Sequence, residues 1–404
     1  MSPRKIIIIG GGPAGMMAAI KAAQTLRDSG FAAGRDADIV LYDKNDRLGR
    51  KIYLTGKGRC NITNMKTWEE FSTHIHPNRE FLKHSFRIFS NEDVRDFFEG
   101  IGVPTTIEQG QRLFPVSMKA SDVAQALERK VHELGVNVET CRLEHLPEPS
   151  SDCAVILATG GKSYPLTGST GDGYAMAREA GHTVSRTFPS LTALMPEGYD
   201  LSLDGLTLKN VSLCLYVDRT MVQSEEGELT FTADGIEGAL GFRLSRKAVW
   251  ALENGQKVEL SLDLKPALSE DKISSRILRE TASRASRGDG KVTSSLLRSM
   301  MPEQLVEPFI RANQGLTFDN LPQRLKDWRF RISSCKGYER AVVTAGGVSL
   351  KEIVPKTLAS RLVEGLFFAG EVIDLDGDTG GYNLQIAFST GATAGISAAK
   401  FLAR

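Results

Sequence analysis

The segment that most constrains this chain is its opening run IIIIGGGPAG, in which four isoleucines lead directly into a glycine-rich turn. Four β-branched residues in succession suit a strand buried on both faces of a parallel sheet. The next glycines have the spacing G-x-G-x-x-G, at Gly10, Gly12 and Gly15, and a helix is predicted to start near Pro13 and Ala14. Such glycines allow a tight turn, close approach to a pyrophosphate, and close packing of helix on strand. The segment therefore predicts a dinucleotide-binding site at a helix N-terminus.

A second predicted strand, ADIVLYD, ends in Asp43 and is followed by Lys44. A carboxylate at this point is placed to accept a hydrogen bond from a ribose 2′-OH. Asp43 lies 28 residues after Gly15, whereas the usual offset is about 20. We assign the excess to an irregular loop over residues 27–37, which is rich in glycine and charge.

Two later segments also end an apolar strand in small residues. One is CAVILATGG, which continues into Ala158, Thr159, Gly160 and Gly161. The other is GLFFAGE near the C-terminus, followed by a long helix of small residues. Parallel strands present their carboxyl ends at one edge of a sheet, so these segments can face one extended ligand. This arrangement favours FAD as the cofactor.

The charge balance limits the class of partner. The chain carries 50 Lys and Arg against 49 Asp and Glu, a formal net charge of +1, so no long-range attraction to nucleic acid or an anionic membrane is expected. We therefore expect a small-molecule substrate, no nucleic acid and no membrane partner. The five cysteines are odd in number and scattered, which favours a reducing, cytoplasmic setting. No metal-ligand spacing is present, and no feature specifies an oligomeric state.

Together these motifs resemble the aminoacetone-oxidase and bile-acid-reductase type of FAD-dependent flavoproteins, which have two dinucleotide folds and an inserted β-rich domain. The resemblance covers most of the chain and rests on motifs that occur in this order: GGGPAG, GRKIYLTGKGRCNITN, ATGGKSYPLTGSTGDGYAMAREAGH, TAGGV and PKTLASRLVEGLFFAGEVIDLDGDTGGYNLQIAFSTG. It implies an α/β protein with a discontinuous, glutathione-reductase-type Rossmann domain.

The resemblance also implies which residues contact the cofactor. Residues 49–64 are expected to pass beside the pyrophosphate, the ribityl chain and the flavin ring, through Gly49, Arg50, Lys51, Thr55, Gly56, Gly58, Arg59, Cys60, Asn61 and Asn64. Gly370 and Glu371 are placed at the ribityl hydroxyls. The last helix is expected to point its first N–H groups at flavin N1 and the C2 carbonyl, through Gly380, Gly381, Tyr382, Asn383 and Leu384. Cys60 has no nearby cysteine to resolve it, so a packed free thiol is the favoured interpretation.

The middle of the chain has a different periodicity. Alternating or β-branched runs such as LKNVSLCLYVDRT and KVELSLDLK predict a small barrel or sandwich, and neighbouring segments have helical spacing of apolar residues. The sequence thus predicts an FAD-binding domain formed by residues 1–190 and 336–404, with a β-rich and helical substrate domain inserted at 191–335.

For the reaction we expect hydride transfer between flavin N5 and a small organic substrate. Three alternatives are open: an NAD(P)H-dependent reductase, which is slightly favoured, an amine oxidase that uses oxygen, and a FAD-bound sensor without turnover. No second G-x-G-x-x-G follows a later strand, so NAD(P)H would dock only transiently. Arg59, Asn64 and Tyr382 are the candidates for proton transfer, although cofactor binding alone is the favoured interpretation of each. Asp374, Asp376 and Asp378 are interpreted as solvated carboxylates of a turn.

Overall fold

The chain consists of two compact units in the computed structural model. The first combines Met1–Pro189 with Val342–Arg404, and the second, called the barrel unit below, is the continuous stretch Ser190–Ala341. The residues that the structure describes are 4–31, 36–282 and 292–404.

The sequence places the boundaries at residues 190 and 336. The second boundary lies further along because the short helix Gly337–Arg340, which follows the strand Trp328–Cys335, also belongs to the barrel unit.

A five-stranded parallel sheet forms the centre of the first unit. Its strands, in spatial order, are Leu366–Phe368, Cys153–Leu157, Arg4–Ile9, Ala37–Asp43 and Asn137–Thr140. Ile6 and Ile8 are fully buried, as expected of a strand covered on both faces. Ile9 pairs with Leu157 on one side and with Tyr42 on the other, and Leu157 pairs with Phe368. The carboxyl ends of four strands therefore lie level at one edge of the sheet.

Two helices pack on this sheet and on each other: Pro13–Asp28, called the first helix, and Tyr382–Leu402, called the last helix. A Cβ at Gly391 would lie 2.3 Å from the Ala14 carbonyl oxygen. One at Gly395 would lie 2.2 Å from the carbonyl oxygen of Ala18. Only glycine lets the two backbones come this close, and the contact holds the first helix in place above the sheet edge.

The remaining elements of the first unit surround this layer. Its other helices are Trp68–Phe71, Arg79–Ile88, Asn91–Gly100, Ala120–Glu133 and Asp172–Glu179. Short strands form a three-stranded sheet, Thr63–Asn64, Arg112–Pro115 and Thr105–Glu108, and a pair, Ile75–His76 with Asp376–Gly377. Val343–Ala345 pairs with Phe188–Ser190. The predicted loop at 27–37 lies partly outside the described residues; the first helix ends at Asp28 and the next strand starts at Ala37.

The barrel unit contains a closed barrel of six strands. In spatial order they are Leu194–Pro196, Gly235–Glu237, Thr220–Thr232, Thr207–Val217, Val258–Asp263 and Trp328–Cys335. Leu213, Phe231 and Leu260 are fully buried and are typical of the side chains that fill a small barrel. Helices accompany it: Gly238–Glu253, Glu270–Ala282, Ser294–Arg298, Glu303–Ala312 and Leu321–Lys326. The predicted Rossmann-like α/β fold with a β-barrel-like and helical part is confirmed.

Among the described residues, no helix combines the length and apolar character that spanning a bilayer requires.

Candidate FAD-binding site

A long cleft runs along the carboxyl edge of the parallel sheet. It encloses about 1310 Å³ of empty space, including the part open to solvent. Sixteen residues predicted to bind the cofactor line it: Gly10, Gly12, Pro13, Ala14, Asp43, Lys44, Gly49, Arg50, Lys51, Thr55, Ala158, Thr159, Gly160, Glu371, Asn383 and Leu384. The fold therefore brings the predicted strand ends and the start of the last helix onto one surface.

The three glycines of the opening motif have separate roles. Gly10 has a φ of +105° and turns the chain beside Ala158, whose carbonyl oxygen would lie 2.5 Å from a Cβ. Gly15 packs on Gly10, since a Cβ there would lie 1.8 Å from the Gly10 carbonyl oxygen. At Gly12 nothing lies within 4 Å of a Cβ position. The cleft is thus open over Gly12, where a pyrophosphate has to approach the backbone.

Two helices begin at this cleft without a side-chain cap. The first helix has Gly12 as its N-cap and the last helix has Gly381, and neither makes a side-chain capping bond. The first N–H groups of a helix have no partner within the helix and carry its positive dipole end. Ala14 and Asn383, in these first turns, both line the cleft. The cleft therefore offers free N–H donors at two helix starts, which the sequence analysis predicts for phosphate and for the flavin ring.

Thr159 lines the cleft, but its hydroxyl faces the interior. The hydroxyl oxygen is inaccessible to solvent and makes no hydrogen bond within the described part of the protein, and a Cβ on Gly173 would lie 1.9 Å from it. The fit of the cleft to FAD therefore rests on the open Gly12 and on the two helix starts without a side-chain cap.

The carboxylate of Asp43 organises the adenosine end of the cleft. Its Oδ2 accepts the Gly11 N–H at 2.6 Å. Its Oδ1 accepts from the backbone N–H and the side-chain amide of Asn45, both at 2.8 Å. An ionised carboxylate has about four acceptor sites, so one site on Oδ2 is left for a ribose hydroxyl. Asn45 was not predicted; its signal is an asparagine two residues after the strand-ending aspartate, a common turn pattern.

The basic residues at this end are already paired. Lys44 Nζ lies 2.6 Å from Asp172 Oδ2 and 2.5 Å from the Thr170 hydroxyl, and Arg142 adds a contact to Asp172 at 3.2 Å. Burial opposes the charge of Asp172, but the hydrogen bonds from Lys44 and Thr170 outweigh it and hold its pKa below the ordinary value. Arg50 donates to the Asn45 side-chain oxygen at 2.8 Å. Lys44 and Arg50 thus brace the walls of the cleft.

A second ion pair lies in the middle of the cleft, where Lys51 Nζ is 2.7 Å from Glu371 Oε2. Glu371 Oε1 accepts from the Ser163 hydroxyl at 2.8 Å and from the Thr344 N–H at 2.7 Å. Lys51 also donates to Ser163 at 2.5 Å. Only about a fifth of each ionic side chain is exposed, so Glu371 chiefly fixes Lys51 against the wall. Ser163 and Thr344 were not predicted, although both lie in or beside the motifs ATGGKS and TAGGV.

The other predicted cofactor residues lie behind the cleft surface. Gly161 and Gly370 allow close packing: a Cβ would lie 2.4 Å from the Thr344 hydroxyl at the first and 2.7 Å from the Ala14 Cβ at the second. Gly380 and Gly381 form the left-handed turn before the last helix. The contacts of these four glycines, and of Gly15, with the cofactor stay predictions.

The segment that follows Thr55 turns away from the cleft. Gly56 and Gly58 adopt left-handed conformations, and Arg59, Cys60, Asn61 and Asn64 follow outside the cleft lining. Cys60 is fully buried, and burial raises the pKa of its thiol to about 12. This geometry agrees with the packed free thiol favoured from the sequence.

None of the three candidates for proton transfer lines the cleft. Arg59 lies over the Phe114 ring, 4.8 Å from its centroid. Asn64 is buried and donates to the carbonyl oxygens of Gly110 and Gly380, at 3.1 and 3.0 Å. Tyr382 is buried against an aromatic neighbour. Asn64 and Tyr382 lie around the start of the last helix, whereas Arg59 contacts Phe114 and Glu108 of the three-stranded sheet. Any part that the three residues play in proton transfer stays a prediction.

The interpretation of the late aspartates as solvated is wrong for two of the three. Asp376 is 1% exposed, and the Asp378 side chain is 18% exposed and holds two histidines. Both lie in or next to a two-residue strand that pairs with Ile75–His76, and a strand of two residues leaves little pattern in a sequence.

A Rossmann sheet whose carboxyl edge carries two uncapped helix starts on one long cleft is typical of a protein that binds a dinucleotide such as FAD. The chain belongs to the family described as the HI0933-like protein Rossmann domain, whose profile matches residues 4–397. The resemblance found in the sequence is thereby confirmed, and the protein is an FAD-dependent oxidoreductase.

Curated relatives match along almost the whole chain. The 3-dehydro-bile acid delta(4,6)-reductase of Clostridium scindens is 30% identical over 98% of this chain and 99% of its own length. A ribosomal RNA dihydrouridine synthase of Haemophilus influenzae is 27% identical over 97% of each chain. The Escherichia coli protein of the same name is 28% identical over 95% of each.

Among solved structures, the fold is similar to the 3-ketosteroid delta1-dehydrogenase of Sterolibacterium denitrificans, solved with 1,4-androstadiene-3,17-dione. The TM-score is 0.50 at 12% identity, over 99% of this chain and all of that one. This similarity concerns the fold alone.

Proposed function

We propose that the protein reduces a carbon–carbon double bond conjugated to a carbonyl group in a small molecule. The observation that carries this proposal is the full-length similarity to enzymes whose names share one chemistry. A delta(4,6)-reductase of a 3-dehydro-bile acid acts, by its name, on double bonds conjugated to a C3 ketone. A dihydrouridine synthase saturates the double bond next to a ring carbonyl of uridine. Both reactions add two hydrogens across a polarised double bond.

When bound, FAD supplies the hydride, through N5, for such a reaction. The protein's own residues bind and orient it: the N–H groups after Gly12 at the pyrophosphate, Asp43 at the ribose, and the first turn of the last helix at the ring. Lys51 is held by Glu371, so its positive charge is fixed on the wall of the cleft before any ligand arrives. Preorganised charge of this kind costs no rearrangement during reaction.

Reduced nicotinamide is the proposed electron donor. The sequence has one G-x-G-x-x-G motif, which supports a donor that docks transiently and leaves before substrate binds. Such an enzyme reduces the flavin and the substrate in two separate half-reactions.

A small-molecule substrate is favoured by the near-neutral charge of the chain, because a protein that holds RNA by its phosphates needs an excess of basic residues. Uridine in ribosomal RNA is the second candidate, supported by the two dihydrouridine synthases. We also assign the protein to the cytoplasm, since its cysteines are free and a reducing compartment keeps them so.

Two anaerobic half-reactions test the proposal. The FAD-loaded protein is mixed with NADH or NADPH, and the loss of flavin absorbance is followed. The reduced protein is then mixed with a steroid that carries a 3-oxo-4,6-diene, and recovery of the flavin absorbance is followed together with loss of the dienone absorbance. Rapid reaction in both steps is the expected result.

Other outcomes assign the protein differently. Reoxidation by a ribosomal RNA transcript, with dihydrouridine found by mass spectrometry, supports the RNA substrate. Reduction by aminoacetone and reoxidation by oxygen supports the amine oxidase. No electron transfer to any acceptor, including a dye, supports the sensor, and each of these results overturns the proposal.

A further inference from the structure

A cluster of four ionisable side chains lies behind the start of the last helix. His74 Nδ1 is 2.8 Å from Asp378 Oδ2, and His76 Nε2 is 3.1 Å from Asp378 Oδ1. On its other side, His74 Nε2 is 3.0 Å from Lys66 Nζ. We call these residues, Lys66, His74, His76 and Asp378, the histidine cluster. It is not part of the cleft lining, and of its members the sequence analysis names only Asp378.

The partners determine where the protons sit. A lysine ammonium only donates, so the His74 Nε2 that faces Lys66 is an acceptor. The proton of neutral His74 is therefore on Nδ1, where it is donated to Asp378. His76 donates to the same carboxylate through Nε2–H. Its Nδ1 has no hydrogen-bond partner within the described part of the chain, and its side chain is 32% exposed.

His76 is accordingly the member of the histidine cluster that can take up a proton. A proton added to His74 would go onto Nε2 and place two cationic donors 3.0 Å apart. A proton added to His76 goes onto Nδ1, which has no hydrogen-bond partner among the described residues, while Nε2 keeps its contact with the ionised Asp378 carboxylate. Burial opposes the charge of Asp378, but the bonds from both histidines outweigh it and lower its pKa to about 2.

The histidine cluster is tied to the cleft through two residues of the last helix. The Tyr382 ring stacks on His74, with centroids 4.4 Å apart. The Asn383 side chain donates to the carbonyl oxygens of Gly377 and Asp378, at 2.7 and 3.2 Å, and accepts the Gly377 N–H at 2.8 Å. Asn383 itself lines the cleft. The cluster thus lies one layer behind the helix start that is expected to face the flavin ring.

We propose that His76 is a positioning residue that couples proton uptake by the protein to reduction of the bound FAD. Lys66 and Asp378 balance each other, so the charge that these four residues carry changes from zero to +1 when His76 takes up its proton. Asp376, which pairs with His76 in the strand register, is the other ionisable group on the facing strand. Positive charge behind the helix start favours the more electron-rich, reduced state of the cofactor, in the same sense as the helix dipole.

The coupling has to be reciprocal. If protonated His76 raises the reduction potential of bound FAD, reduction must by the same free energy favour protonation of His76. For a two-electron couple, a tenfold change in the equilibrium constant corresponds to about 30 mV. Each extra proton taken up with the two electrons therefore makes the reduction potential fall by about 30 mV more per pH unit. The proposal needs bound FAD but no particular substrate, so it can fail or succeed independently of the proposed reductase activity.

Redox titration of the FAD-loaded protein with mediator dyes tests this, over a series of pH values. The potential of wild type should fall more steeply with pH than that of His76→Gln, by up to about 30 mV per pH unit within part of the series. Gln keeps an N–H donor for Asp378 and stays neutral. His132→Gln changes an exposed histidine elsewhere in the same unit and should behave as wild type. Equal slopes for wild type and His76→Gln would overturn the proposal.

A second measurement uses the wild-type protein, so its outcome does not depend on whether a variant folds. The ring C–H resonance of His76 is followed by NMR against pH in the wild-type protein, once with oxidised and once with reduced FAD. The titration midpoint should move upward on reduction. An unchanged midpoint would show that His76 and the flavin do not communicate.

Discussion

Gly391 of the last helix lies directly against the carbonyl oxygen of Ala14 in the first helix, where a Cβ would have only 2.3 Å. Ala14 is also in the first turn of the helix that starts at the cleft. One close backbone contact therefore links the packing of the first unit to the donors offered to the cofactor.

Gly391→Ala should destabilise the protein by about 1–3 kcal/mol, since the added methyl group has to push the two backbones apart. Urea unfolding of the apo protein measures this change. Gly100→Ala is the matched control: it lies at the end of a helix with nothing within 4 Å of the new methyl group, so the same substitution should be neutral or stabilise by up to about 1 kcal/mol. Equal stability of Gly391→Ala and wild type would contradict this account of the contact.

Gly12→Ala and Gly15→Ala should separate cofactor binding from folding. A methyl group at Gly12 meets no protein atom, so the apo stability should change by no more than about 0.5 kcal/mol. It would occupy the cleft where the pyrophosphate is expected, and FAD should bind at least about tenfold more weakly, a loss of about 1.4 kcal/mol. Gly15→Ala should instead destabilise the apo protein, because its methyl group would meet the Gly10 carbonyl oxygen. Unfolding curves and FAD fluorescence titrations give the two quantities.

Asp378 should make stability depend on pH in the acid range. Its folded-state pKa of about 2 lies below the ordinary 3.8, so the folded chain keeps this charge at lower pH than the unfolded chain. The stabilisation, about 2 kcal/mol, is present above the ordinary pKa and is lost as the pH falls from about 4 to about 2. The unfolding free energy of Asp378→Asn should be lower than that of wild type near neutral pH, and it should depend less on pH between about 4 and about 2. The control Asp46→Asn, at an exposed position, should show the same dependence of stability on pH as wild type. If Asp378→Asn also shows the wild-type dependence, Asp378 is not the group that stabilises the fold in this pH range.

Cys60 should resist alkylation in the native protein, because it is buried and its thiol has a pKa raised to about 12. Cys141 is exposed and lines the cleft, so it should react first, and more slowly once FAD is bound. Mass spectrometry after timed exposure to iodoacetamide follows both sites, and a sample in denaturant serves as the control in which both react. Labelling of Cys60 as fast as Cys141 would mean that the thiol is accessible and reactive.

The parts of the cleft that the sequence predicts are those formed by short, local patterns. The four isoleucines, the glycine triplet and Asp43 each depend on neighbours a few residues away, and parallel pairing then places them together. For this reason the sheet, the cofactor and sixteen of the lining residues are predictable from the sequence.

The parts that the sequence does not predict depend on pairs distant along the chain. Lys44 and Asp172 are 128 residues apart, and Lys51 and Glu371 are 320 apart; no periodicity reports such contacts. Arg59 and Asn64 are close in sequence to Thr55, which does line the cleft, but the left-handed turn at Gly56 carries them away from it. Nearness in sequence to a ligand-binding residue does not specify the direction in which a side chain points.

The barrel unit is encoded as one continuous stretch, whereas the first unit needs both ends of the chain. On the ribosome, the last barrel strand emerges before Leu366–Phe368 and the last helix have been made. Until then the strand Cys153–Leu157 lacks its neighbour on one side, and the face of the first helix that carries Ala14 and Ala18 is exposed to solvent. Nascent chains with such exposed edges and apolar faces bind chaperones or aggregate. The cofactor cleft is thus complete only after residues 366–402 have been made, and FAD cannot be captured before then.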